Sequence, residues 1–393
     1  MKSLSNIIIL FFALTLQAQT EKEMYLFSDD IAAKIEKDTV SWKYQIGATD
    51  YSISGYHNQA LTTWDKNGSR KPKITKEDSL YFKNFTAHNA KEYIIKRSKK
   101  EQIIIINEAH HNAGHRVFTT SLLNDLYQNG YRFLGLEAIN DTSINNRKFA
   151  TKDSGYYTNE PQLANMIHQA IQIGFTIFNY EASEEKNGKE REIEQAENIA
   201  EIIEKNPRSK FLIHCGYDHV IEGIPGNKSW EKAMAGRLKD LVNIDPFTID
   251  QVSYTEHGNA EFNSPYIQML NKDFPCILAD KNNNLFTGNP TNKQTDCRII
   301  HSKTKYKKGR PTWLTLNGQR KYFNIPKSKI KQFPALVLAY RMGEYEQNGI
   351  PVDILEIQNN QQNTTLILEK GRYNIIVKNK DYQVIEHFEQ IIK

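Results

Sequence analysis

Between Glu101 and Tyr254, short runs that are apolar on both faces alternate with longer amphipathic ones, and this alternation constrains the fold more than any other feature of the chain. The runs "QIIIIN", "RFLGLEA", "FTIFNYEA", "KFLIHCG" and "FTIDQVSY" read as strands covered on both sides, as strands of a parallel sheet are. Between them Phe118, Leu122, Leu123 and Leu126 recur at helical spacing and stop at Gly130, while Leu163, Ile167, Ala170 and Ile171 stop at Gly174. Ile193, Ala196, Ile199, Ala200 and Ile203 mark a third helix ending before Pro207, and Trp230, Met234, Leu238 and Leu241 a fourth. Repeated β-α units of this kind predict an α/β fold with a mostly parallel sheet flanked by helices.

The flanks of this region differ from it. Residues 1–19 carry Lys2, an apolar run from Ile7 to Leu16 and the small-residue stretch "LQAQT", the three-part form of a secretory signal. An exported mature chain, periplasmic or extracellular, is expected to begin near Gln19 or Thr20. No run approaches the ~20 apolar residues that span a bilayer as a helix, so no transmembrane segment is expected. Residues 20–100 are polar and mixed, with a helix near Met24 to Lys37 and an aromatic stretch "YSISGYHNQALTTWD", and are expected to cap the sheet or cover its mouth. Residues 101–264 form the expected catalytic or ligand-binding domain. From residue 265 to 393 the pattern becomes β-rich: "TLNGQRKYFNI" holds an Asn-Gly turn and "TLILEKGRYNIIVKNKDYQVIEHF" alternates apolar and polar residues around turn signals.

Charge narrows the partners. With 51 basic against 46 acidic residues and a net charge of +5, without a basic face or recognition motif, nucleic acid is not an expected partner. A small molecule or a peptide is. Export permits a disulfide, expected between Cys276 and Cys297, whereas Cys215 lies in a strand run and reads as a buried thiol. The chain holds no G-x-S-x-G, H-E-x-x-H, P-loop or G-x-G-x-x-G.

Three of the 11 histidines fall within "IIIINEAHHNAGHRVF". In an open parallel sheet, ligands gather outside the carboxyl ends of the strands. Glu108, His110 and His111 end the first strand, Glu137 the second, Tyr180 and Glu181 the third, and His214 the fourth, with His219 five residues on. Side chains leaving a strand in succession point opposite ways, so one of His110 and His111 is expected to face the site. His115 opens the next helix behind the N-cap Asn112, where the helix dipole favours neutral imidazole. Arg191 opens the third helix at the same edge. Such a set supports either a metal-bound water nucleophile or a metal-free histidine base paired with a carboxylate.

The segment "NEAHHNAGHR" resembles the Gly-Glu-x-His-Asp-Asn-x-x-His motif of the ChaN-like haem-binding uptake family, and "CGYDHVIEGIP" its later Gly-x-Gly-His segment. Both belong to the wider Tiki superfamily, which includes the erythromycin-esterase-like enzymes. The resemblance covers roughly residues 100–255 and picks out Glu108, His110, His115, Gly216 and His219. The erythromycin-esterase-like variant would instead choose Glu108 and His111, with Glu137 after the second strand. Asn107, His111 and Asp218 depart from the residues common at those motif positions.

The resemblance implies hydrolysis of an ester or amide bond at a Glu/His centre. Glu108, His111, Glu137, His219 and Arg191 are its catalytic candidates, and His110, His115, Glu181 and His214 are candidate ligands for a divalent metal. The alternatives are a haem- or metal-binding uptake protein without turnover, with Tyr180 or Tyr217 as axial ligand to the haem, and an inactive surface-binding scaffold.

Overall fold

The computed structural model describes residues 23–288 and 294–393, so the expected signal at residues 1–19 lies outside the described residues. The N-terminal segment contains α1 (Ser28–Lys37), α2 (Lys43–Ile53) and α3 (His57–Asp65).

All five expected runs form strands: β1 (Ile103–Glu108), β2 (Tyr131–Leu136), β3 (Thr176–Asn179), β4 (Lys210–Gly216) and β5 (Phe247–Asp250). A two-residue strand, β6 (Cys297–Arg298), joins them in one parallel sheet of order β3-β2-β4-β1-β5-β6. Ile103 to Ile106 of β1 are all fully buried. Ile104 and Ile106 pack under α4 (Ala113–Gln128) and α5 (Pro161–Ile173), and Ile103 and Ile105 under α6 (Gly188–Lys205) and α7 (Met234–Val242). Each such side chain contributes roughly 1.5–3 kcal/mol of burial. Because the strand is covered on both faces, it reads as a continuous apolar run.

The helix ends follow their sequence signals. Asn112 caps α4 by accepting the Gly114 N–H at 3.1 Å. Glu160 caps α5 ahead of Pro161, and Gly174, at φ 116°, closes it. Trp230, expected on the fourth helix, lies on a preceding short turn, Lys228–Trp230. The connections leaving β1 and β4 diverge toward opposite edges of the sheet and pass over opposite faces. The carboxyl ends of these neighbouring strands therefore form a topological switch point, where side chains can converge.

The C-terminal module is antiparallel. β7 (Lys321–Asn324), β8 (Ala335–Arg341), β9 (Asp353–Ile357), β10 (Thr365–Leu368), β11 (Gly371–Lys378) and β12 (Val384–Ile392) form a four-stranded sheet, β9-β8-β11-β12, and a pair, β7-β10. Asn317 and Gly318 take positive φ as a turn requires, but β7 pairs with β10, so this turn closes no hairpin. Cys276–Ala279 pairs with Thr86–Asn89, and β6 belongs to the parallel sheet, so part of the segment after residue 265 completes the α/β layer. Tyr25, Phe27 and Ile53 pack on Leu336, Leu338 and Ile376 of the module, which places the N-terminal segment across both parts of the chain. The module also meets α5, where Arg320 donates to Gln162 at 2.5 Å, Arg341 to Asn165 at 2.9 Å, and Asn165 to the Val352 carbonyl at 2.9 Å.

The expected Cys276–Cys297 disulfide is not formed: Cys215, Cys276 and Cys297 are free and buried. Cys276 lies opposite Ile300 rather than Cys297, and its thiol points to the Phe274 carbonyl at 3.3 Å. No helix among the described residues is long and apolar enough to cross a membrane.

Candidate active site

Two buried ion-pair clusters meet where β1, β2 and β4 end. The first is built on Glu108, the last residue of β1. Arg116, one turn into α4, donates Nε and Nη2 to its two carboxylate oxygens, each at 2.5 Å, and Nη1 to Glu160 at 2.9 Å. Glu160 in turn accepts the backbone N–H groups of Gln162 and Leu163 at the start of α5. Burial alone would raise the Glu108 carboxyl, but Arg116 holds it well below the usual range, so it is ionised. His110 Nδ1–H donates to Glu108 Oε1 at 2.9 Å. His214 Nε2 lies 3.7 Å from Glu108 Oε2, and burial lowers this imidazole to about 4, leaving it neutral.

The second cluster is built on Glu137, just past β2. It accepts the Gly216 N–H, Arg191 Nη2 at 2.8 Å, and an ion pair from His219 Nε2 at 3.3 Å. The other ring nitrogen of His219 donates to Glu192 at 3.0 Å. Burial opposes charge on His219, but carboxylates at both nitrogens carry it up to about 10, while Arg191 Nη1 stands 3.1 Å from the same Nε2. Arg191 also donates to both oxygens of Glu181, at 2.8 and 2.7 Å.

Gly216 is the point where the clusters touch. A methyl carbon there would sit 2.4 Å from His110 Cε1, 2.5 Å from His110 Nε2 and 3.1 Å from Glu137 Oε2, so only glycine admits the ring edge. The space beside these groups is small, about 10 Å³, and is lined by Glu108, His110, Glu137, Tyr157, His214 and Gly216. Tyr157 stacks on His110 with centroids 3.7 Å apart.

Of the adjacent histidines, His110 and not His111 reaches the carboxylate. His111, expected among the catalytic residues, lies flat on Trp64 of α3 at 4.0 Å, with Nδ1 3.2 Å from the Tyr217 hydroxyl. His115, expected as a ligand, accepts the Ala109 N–H at Nδ1 (3.1 Å), while Nε2 meets Asn112 and Thr255, each at 3.3 Å. It pins the loop and does not point to Glu108. The expected clamp Arg191 is itself clamped by Glu137 and Glu181. Glu181 spends its oxygens on Arg191, Gln195 and the Ala138 N–H.

Of the expected metal ligands, His110 and His214 both approach Glu108, whereas His115 and Glu181 are bonded elsewhere. No group of three or more His, Cys, Asp or Glu side chains among the described residues is arranged to hold a metal ion. Of the two expected haem ligands, Tyr180 is fully buried with its hydroxyl donating to the His214 carbonyl at 2.9 Å, and the Tyr217 hydroxyl lies 3.2 Å from His111 Nδ1.

Four residues of the site were not anticipated. Glu192 sits on the α6 stripe with Ala196, Ile199 and Ile203, a spacing that points it inward. Arg116 is buried between His115 and Val117, and Glu160 precedes Pro161, a capping signature. Tyr157, the fourth, carries no comparable local signal.

No family model matches the chain, and no curated protein does. Among solved structures, the chain is similar at a TM-score of 0.28 and 14% identity to RRSP, a MARTX toxin effector domain from Vibrio vulnificus CMCP6, over 58% of this chain and 51% of that one. A structure described as bacterial protein toxins is similar at TM-score 0.28 and 14% identity, over 49% and 45%. The chain spans about half the length of these structures.

Proposed function

We propose that the protein is an exported hydrolase of ester or amide bonds that uses His110 as general base on water. The observation that carries this reading is the relay Arg116–Glu108–His110, in which a fixed carboxylate accepts the Nδ1–H hydrogen bond and leaves Nε2 free to accept a proton. Water loses its proton to His110 Nε2 as its oxygen attacks the carbonyl carbon. The same imidazolium then protonates the leaving alkoxide or amine. Arg191 and His219 lie on the Glu137 side of Gly216, with their charge met by Glu137, Glu181 and Glu192. Glu137 holds both in place. The Glu-x-His spacing of the Tiki superfamily supports the choice of Glu108 and His110, and the signal-like residues 1–19 support export. None of these steps is routed through a metal.

The experiment is turnover of p-nitrophenyl esters and peptide p-nitroanilides by the purified mature chain before and after dialysis against a chelator. Hydrolysis that survives chelation and is lost in His110→Ala supports the reading. Equal rates in His110→Ala and wild type, or no turnover across both substrate series, overturn it.

A further inference from the structure

A cavity of about 570 Å³ lies between the first turns of α4 and the segment 301–317, and neither Glu108 nor His110 lines it. That volume is in the range of pockets for small organic ligands. Three features define what it would hold.

Its apolar walls are aromatic: Phe118, Phe274, which is 36% exposed, and Trp313, which runs past the start of α4. Trp313 lies 3.6 Å from where a Cβ on Gly114 would be. Most of its charges are matched, and Glu92 and Lys303 stand exposed at its rim. Lys305 pairs with Asp273 at 2.7 Å and Lys91 with Asp125 at 2.8 Å, and the Glu256 carboxylate, with Lys303 nearby, accepts the Thr304 N–H at 3.0 Å. Its remaining polar groups are neutral. His301 Nε2–H donates to Gln251 Oε1 at 2.9 Å, because the Gln251 amide nitrogen is spent on the Asn107 carbonyl at 2.8 Å. This leaves His301 Nδ1 as a bare acceptor, and burial lowers the ring to about 4, so it stays uncharged.

Flat apolar faces beside neutral donors and acceptors recognise a ring that has one apolar face and a rim of hydroxyls. We infer that this cavity is a binding site for a neutral sugar of one or two pyranose rings, separate from the Glu108–His110 centre. His115 lies on its wall and ties down the Ala109 N–H, so an occupied cavity bears on the loop that carries His110.

The test is saturation-transfer NMR on the full chain with maltose, cellobiose and N,N′-diacetylchitobiose. Transfer to at least one sugar is expected, and it should be lost both in Ser121→Trp, which fills the cavity, and in Trp313→Ala, which removes its aromatic wall. Unchanged circular dichroism would show that the variants fold. No transfer to any of the three sugars, or transfer that persists in either folded variant, overturns the inference. Neither substitution touches the His110 relay, so failure here is distinguishable from failure of the hydrolase reading.

Discussion

Arg116 binds both oxygens of Glu108 at 2.5 Å, and the two side chains are almost entirely enclosed. Removing one partner of such a pair leaves an uncompensated charge in the interior, at a cost of about 3–5 kcal/mol. Arg116→Leu should therefore lower the unfolding free energy by about that amount. Arg116→Leu combined with Glu108→Gln should recover much of the loss, a double-mutant cycle read by urea denaturation. A single-mutant cost below ~1 kcal/mol would contradict the pairing.

His110 and His111 are neighbours with different work. His110→Ala should reduce turnover by about 10²–10⁴-fold with little change in melting temperature. His111→Phe keeps the ring that stacks on Trp64 and should leave turnover within a few-fold of wild type. Comparable losses in both variants would mean that the relay is assigned to the wrong histidine.

His219 titrates at about 10 in the folded chain, above the ordinary value for histidine. Its pairing stabilises the protein fully below about 6.5, and that contribution is lost as pH rises through 10. In NMR titration the His219 ring should remain protonated at pH 8, and Glu192→Gln, which removes one carboxylate, should bring its midpoint down. A ring found neutral at pH 8 in the wild type would remove His219 as a cation.

Six other histidines run the opposite way. Burial, the leading cause in each case, lowers His57 and His111 to about 3, His168, His214 and His301 to about 4, and His115 well below the ordinary value. The stability they contribute is present above the unfolded value near 6.5 and is lost as pH falls through their folded values. Melting temperature should fall progressively from pH 7 to pH 4. A flat profile over that interval would refute the depressed values.

Gly216→Ala is expected to push the His110 ring off its present position, because the added carbon overlaps Cε1 and Nε2. Overpacking of this kind costs about 1–3 kcal/mol. Turnover should fall well beyond what that loss of stability explains, measured as kcat at a temperature where the variant is fully folded.

Where the sequence was legible, a period was long enough to read. The four isoleucines of β1 and the stripes of α4, α5 and α6 declared their elements, and the strand ends brought Glu108, Glu137, His214 and His219 to one edge. β6, only two residues long, has no period at all. The choice between His110 and His111 stayed open because both lie in the turn after β1, where the alternation of an extended strand no longer applies. Ala109, His110 and His111 are oriented instead by His115, Glu108 and Trp64. The aromatic cover was illegible for a different reason: Trp64 comes from α3, before the sheet begins.

The contacts between the C-terminal module and α5 bear on how this chain can be dissected. Arg320 bonds Gln162, Gln162 and Leu163 bond Glu160, and Glu160 bonds the arginine that fixes Glu108. A fragment ending near residue 265 would keep every group of the centre and lose the buttress behind it, along with β6 at the sheet edge. The α/β layer alone would thus begin with a loosened helix cap beneath the Glu108 carboxylate, and low activity in such a fragment would report on missing support rather than on missing chemistry.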